Sequence, residues 1–148
     1  CLSKGLGAPV GSILVGNSDT ITQARRVRKM FGGGMRQAGI IAAAGLVALD
    51  EVLPALAEDN RRAHALAEGL AEIPAIVLDP DTDETNIVFF SLSKDTPLTA
   101  GELAERLAGE GVLCHPLGGD SIRMVTHYHI SDEDISRAVY VTRKILSQ

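Results

Sequence analysis

The sequence predicts an α/β chain in two lobes: the end of a sheet-containing domain with its following helices, then a smaller α+β unit. Three observations predict it. A glycine-punctuated loop lies between two short apolar runs at the start. A helix that is apolar almost all round comes next, and from Ala75 onward short strand-like runs alternate with two capped helices.

Taken in order, Cys1-Leu2-Ser3 reads as the last positions of a strand already under way, which raises the expectation of a piece of a longer protein. Gly5, Gly7 and Gly11 punctuate the loop that follows. Residues 12–15 then form a short apolar run bounded by Gly16 and Asn17, as a buried strand is. Ser18 or Asp19 is placed to cap a helix to about Met30, which Gly32-Gly33-Gly34 stops. The second helix runs from Gln37 to about Leu53. Ile40, Ile41, Leu46, Val47 and Leu49 surround it with apolar surface, so burial on most sides is expected.

Pro54 suits the first turn of a third helix reaching about Ile73, with Leu56, Asn60, Ala63, Leu66, Ala67 and Leu70 along one stripe. Strand-like runs at residues 75–78 and 86–92 flank an acidic turn at 79–84. Thr99 and Glu102 match a capping box for a helix to about Ala108, and strands are expected at 112–115 and 121–126. Ser131 and Asp134 open the closing helix, where Ile135, Ala138, Val139, Thr142 and Leu146 recur at helical spacing. The boundary between lobes falls near residues 50–55, inside a helical stretch, so two packed lobes are expected and not beads on a string.

Composition narrows the function classes. The 148 residues are 45% apolar and 22% charged, the balance of a globular chain, which excludes disorder, collagen and a disulfide scaffold. Fourteen basic against nineteen acidic residues leave a net charge of −5, the wrong sign for holding a phosphate backbone. Three Phe, two Tyr and no Trp offer no stacking platform, so nucleic acid is not an expected partner. Cys1 and Cys114 allow at most one bridge and have no metal-ligand spacing, which favours a reducing cytoplasm. The longest apolar run, residues 38–49, falls short of the roughly 20 a membrane span needs, and no charged-then-apolar leader opens the chain. No membrane partner is expected.

Lys4 stands directly after the first strand and before the glycine loop, where an amine is held at a sheet edge. Burial of a lysine amine disfavours its charged form, and a neutral amine attacks a carbonyl to give a Schiff base. Position alone leaves an ordinary solvated lysine as the other reading. The loop is not a dinucleotide fingerprint, since G-x-G-x-x-G fails by one residue at Val10, and no nucleotide P-loop occurs. Arg28, Lys29 and Arg36 flank the three glycines, either as a cradle for a phosphate or carboxylate or as a wet basic helix face with a glycine stop. Arg123 alternates with Ile122 and Met124, so its planar fork is available to a carboxylate or to solvent. His127 and His129, with Cys114 and His115, lack the spacing of a closed zinc site, so no metal is assigned. His64 receives no role.

These residues carry a resemblance. The segment CLSKGLGAPVGS from Cys1 closely resembles the cofactor-lysine segment of low-specificity L-threonine aldolases. RKMFGGGMRQAG from Arg28 is similar to their glycine-rich segment, and IRMVTH from Ile122 resembles their late arginine strand. The resemblance runs the length of this chain and covers the C-terminal part of such an enzyme. It implies a fold-type I pyridoxal-phosphate enzyme. Residues 1–52 would be the end of the large parallel-sheet domain with its linking helix, and residues 53–148 a small α+β C-terminal domain. It further implies that Lys4 carries pyridoxal 5′-phosphate as a Schiff base, and that Lys29 and Arg36 lie near the cofactor phosphate, contributed to a neighbouring subunit of a homo-oligomer. Arg123 would bind the amino-acid carboxylate. The implied reaction is retro-aldol cleavage of threonine or allo-threonine to glycine and acetaldehyde.

The family's acidic partner for the pyridine nitrogen and its stacking ring are not in this segment. The 148 residues alone are therefore expected to be inactive, and to self-associate through an unpaired strand edge. An aminotransferase or another lyase of the same fold type, and a non-catalytic module that binds an anion or a partner chain, remain as alternatives.

Overall fold

A computed structural model describes residues 1–78 and 85–147 and divides the chain into two compact units, Cys1–Pro54 and Ala55–Gln148. The acidic turn at 79–84 lies outside the described residues.

In the first unit, helix α1 spans Ser18–Met30. Its cap is Asn17, one residue before those expected: the Asn17 side chain accepts from the Thr20 backbone N–H at 2.9 Å. At the other end the Gly33 N–H donates to the Arg28 carbonyl at 2.8 Å and the Gly32 N–H to the Lys29 carbonyl at 3.1 Å. This double closure turns the chain through Gly32 at φ +82°. Helix α2 spans Gly39–Val47 and starts two residues late, because Gln37 takes a left-handed φ of 49°. A π-helical turn at Ala48–Val52 and a 3₁₀ turn at Leu53–Ala55 follow.

Two expectations fail in this unit. Residues 1–3 and 12–15 form no strand among the described residues, and Val15 is 86% exposed. A strand needs a hydrogen-bonding neighbour about 4.8 Å away, and this unit supplies none. Helix α2 is not buried on most sides either: Ile40 is 88% exposed and Gly45 is its one buried residue. The helical residues from Gly39 to Ala71 also outrun the apolar stretch read from the sequence. Their most apolar window has a mean hydropathy of 1.9, long and apolar enough by composition to cross a membrane. Asp50 and Glu51 lie within those residues, and carboxylates in hydrocarbon are costly.

The second unit closes on itself. Helix α3 (Leu56–Ala71) buries Asp59, Ala63, Leu66, Ala67 and Leu70. Asp59, not Asn60, holds the stripe's early position. Strands β1 (Ile76–Val77), β2 (Ile87–Leu92), β3 (His115–Gly118) and β4 (Ser121–Val125) form one antiparallel sheet in the order β1-β2-β4-β3. Helix α4 (Ala100–Gly109) and helix α5 (Asp132–Leu146) begin at the two capping boxes read from the sequence, with both reciprocal bonds made at each. The third strand falls at His115–Gly118 instead of 112–115. Residues 112–114 are spent leaving α4, where the Val112 N–H returns to the Leu107 carbonyl.

Alternation sorts the sheet. Val88, Phe90, Leu92, Ile122 and Met124 face a core completed by Leu66 and Leu70 of α3, Leu103 and Leu107 of α4, and Ile135 and Val141 of α5. Helices α3 and α5 approach so closely that a methyl group on Gly69 would sit 2.7 Å from Val139. The opposite sheet face carries Phe89, Ser91, Ser121, Arg123 and His115 and is not covered by the helices.

Candidate active-site residues

Lys4 sits at the bend of a closed loop. The Gly7 N–H donates to the Lys4 carbonyl at 2.8 Å, and the Leu2 N–H reaches the Gly11 carbonyl at 2.9 Å. Gly7 and Gly11 take φ of +69° and +128°, which explains two of the loop's glycines. The Lys4 side chain is exposed, so the desolvated sheet rim expected from the sequence is not formed within this unit, whose residues 1–3 have no ladder.

The glycine run does less than a cradle requires. Two of its N–H groups, from Gly32 and Gly33, are consumed in closing α1. The side chains of Arg28 and Lys29 fold back over the run: a methyl on Gly33 would meet the Arg28 Cγ at 2.6 Å, and one on Gly34 would meet the Lys29 Nζ at 2.9 Å. Among the described residues, Lys4, Lys29 and Arg36 make no ion pair, and all three are exposed. Lys4 and Lys29 are both primary amines able to condense with an aldehyde, and all three cations are able to pair with an anion.

Arg123 occupies the middle of β4, paired directly with Phe89 on β2 and His115 on β3. Cross-strand partners share a face, so the three side chains emerge together on the uncovered side of the sheet. The Arg123 Nε is buried and has no hydrogen-bond partner among the described residues. An orphaned guanidinium donor beside open surface fits a carboxylate or phosphate ligand.

The histidines separate. The rings of His127 and His129 meet edge-on at 5.7 Å, and Tyr128 lies 3.9 Å from His129. His64 sits 3.6 Å from Glu68 on the exposed side of α3. No cluster of three or more His, Cys, Asp or Glu side chains is arranged for a metal among the described residues. Both cysteines are free, Cys1 exposed and Cys114 half-buried with its thiol pushed up by burial.

Sequence reasoning missed Asp59. It is 1% exposed, neither carboxylate oxygen has a hydrogen-bond partner among the described residues, and burial raises its pKa against the opposing pull of Arg62 and His127. Its backbone carbonyl accepts from the Thr126 hydroxyl at 2.6 Å, just past the end of β4. The signal was present: Asp59 precedes Ala63, Leu66, Ala67 and Leu70 at helical spacing, an acid on an apolar stripe.

A family model described as beta-eliminating lyase matches residues 1–94. A probable low-specificity L-threonine aldolase of Arabidopsis thaliana is 44% identical over 145 residues, 98% of this chain and 41% of that protein. The low specificity L-threonine aldolase of Escherichia coli K12 is 43% identical over 148 residues, 100% of this chain and 42% of that protein. The chain thus spans about two fifths of the length of these curated relatives. Among solved structures, a cystine C-S lyase in complex with cysteine persulfide aligns with a TM-score of 0.59 at 22% identity, over 72% of this chain and 28% of that one. That likeness speaks for the fold alone, and it is the fold expected, an α/β architecture of the fold-type I class. With 94 of its 148 residues under one family model, the chain belongs to the beta-eliminating lyase family.

Proposed function

We propose that this chain is the C-terminal part of a pyridoxal-phosphate-dependent threonine aldolase, which cleaves L-threonine or L-allo-threonine to glycine and acetaldehyde. The observation that carries the proposal is the 43–44% identity to threonine aldolases across virtually every residue of the chain. In this reading residues 1–52 belong to the large cofactor-binding domain and residues 53–148 form the small domain. The enzyme is a cytoplasmic homo-oligomer.

Lys4 holds the cofactor covalently through its amine, at a loop bend that leaves that amine accessible. Lys29 and Arg36 supply positive charge for the phosphate. Arg123 binds the substrate carboxylate through its guanidinium fork, beside Phe89 on the open face of the sheet. Pyridoxal phosphate, when bound, supplies an electron sink for the pair released as the Cα–Cβ bond breaks. The chain's own residues bind and orient; the groups that complete the site lie outside these 148 residues, so the isolated chain has no aldolase activity.

The test uses the full-length protein. Borohydride reduction followed by peptide mapping is expected to place the cofactor on Lys4, and Lys4→Ala to abolish both the adduct and the visible absorption band. Product analysis with L-threonine is expected to give glycine and acetaldehyde. A keto acid in their place identifies an aminotransferase or an eliminating lyase of the same fold. A protein that is colourless and unlabelled leaves only the anion- or partner-binding module and ends the enzyme reading.

A further inference from the structure

Beyond Arg123, we infer that His115 is a second substrate-binding residue, which donates a hydrogen bond to the same carboxylate. The inference rests on the proposed aldolase reading for the identity of that carboxylate, but its geometry comes from the sheet. Arg123 has two lateral neighbours at its own register, Phe89 and His115. Phe89 is apolar and leaves the buried Nε without an acceptor. His115 is therefore the polar side chain that flanks the guanidinium across the sheet.

Directly paired residues on antiparallel strands hold their Cβ atoms about 5 Å apart. An imidazole N–H and an arginine fork at that spacing can reach the two oxygens of one carboxylate, and a small anion bridges them without either side chain leaving its strand. His115 is exposed and makes no side-chain hydrogen bond among the described residues, so its ring is uncommitted. Its place is also fixed from outside the site. The strand is pinned to β4 at His115 and Pro116 before a bulge and a turn through Gly118 and Gly119, both at positive φ. Helix α4 packs against β3, and its Leu103 and Leu107 lie in the core, on the other side of the sheet from Arg123. Nothing from α4 competes for the imidazole.

The arrangement gives the site a two-donor grip in which Arg123 supplies the charge and His115 a second hydrogen bond. That bond is equally strong to substrate and transition state, so it adds to binding. Because the carboxylate is unchanged when the Cα–Cβ bond breaks, loss of His115 weakens binding and leaves the chemical step alone.

The test measures glycine binding to the full-length holoenzyme by titration calorimetry, alongside the kinetics of threonine cleavage, for His115→Leu and His115→Asn. His115→Leu is expected to raise both the Kd for glycine and the KM for threonine about fivefold, the loss of one hydrogen bond, with kcat unchanged. His115→Asn keeps a donor and is expected to restore most of the affinity. If Arg123→Leu abolishes glycine binding while His115→Leu leaves Kd and KM unaltered, this inference is overturned and the aldolase reading survives. If Arg123→Leu also has no effect, the carboxylate is bound elsewhere and this inference is overturned together with the Arg123 assignment, while the aldolase reading is decided separately by the products formed from L-threonine.

Discussion

The two units are apolar in similar proportion but to opposite effect. In Ala55–Gln148 the apolar side chains converge on one sheet face, and Leu70, Leu103, Leu107, Val88 and Ile122 are completely buried. In Cys1–Pro54 the comparable residues Leu14, Val15, Met30, Phe31 and Ile40 are exposed, and α1 has no buried residue at all. An apolar hollow of about 570 Å³ lies open between Leu2, Val10, Ile13, Met35 and Ile41. One unit encloses a core of its own, whereas the unit that carries Lys4 leaves its large apolar side chains exposed.

That difference is broken most directly by truncating one side chain in each. Leu103→Ala removes a fully buried side chain from among the three helices and is expected to cost about 3 kcal/mol, lowering the chain's melting temperature by about 10 °C or more. Ile13→Ala, at a residue already 55% exposed, is expected to change stability by less than about 0.5 kcal/mol. Equal losses in differential scanning calorimetry would show that the first unit has a core after all.

The same contrast explains what could be read from sequence. The capping boxes at Thr99–Glu102 and Ser131–Asp134 were legible because their signals are local: four residues contain both donors and both acceptors. The third strand was misplaced because Pro116 and Gly118 look like breakers. It is an edge strand, where Pro lacks no ladder partner it needs. The early position of the α3 stripe was ambiguous, since Asp59 and Asn60 lie four and three residues before Ala63 and both suit one helix face; packing selects Asp59. The strands at 1–3 and 12–15 were illegible for a deeper reason. Strand formation depends on neighbours far away in sequence, and a short apolar run carries no record of whether they are present. Arg123 could be placed in its strand from pattern, whereas Lys4 was placed at a sheet rim that this unit does not form, and the roles of both came only from the resemblance.

A second contrast concerns charge. Asp59 is a carboxylate buried in the second unit with no hydrogen-bond partner among the described residues, and burial pushes its pKa above the ordinary 3.8. A group whose pKa is raised by folding favours the folded state while protonated, below about 3.8, and loses that contribution as pH rises through the folded-state value. Asp59→Asn is therefore expected to stabilise the chain at pH 7 by about 1 to 2 kcal/mol, with the gain vanishing at pH 3. Asp132, held low by hydrogen bonds from Arg61 and Arg62, shifts stability the other way, but it does so in both proteins and cancels from the difference. Urea unfolding at the two pH values measures it. A destabilising effect at pH 7 would mean the carboxylate is engaged by Arg62 or His127 more strongly than its geometry indicates.

The smallest effect makes the sharpest comparison, because it deletes the same interaction from each unit. Asn17 caps α1 by accepting from the Thr20 N–H, and Ser131 caps α5 by accepting from the Asp134 N–H at 3.2 Å. Each bond satisfies a helix donor that would otherwise be left to water, and replacing such a cap with Ala costs about 1 kcal/mol of helix stability. What differs is what the helix is attached to. Helix α5 buries Ile135, Ala138, Val141, Thr142 and Ile145, so fraying its first turn loosens the core, and Ser131→Ala is expected to lower the unfolding midpoint of the whole second unit. Helix α1 buries nothing, so the same loss in Asn17→Ala has no core to propagate through. That variant is expected to reduce helical circular dichroism slightly while leaving the cooperative transition where it was. If the two variants shift the midpoint equally, the units unfold together and the first is stabilised by contacts beyond its own residues.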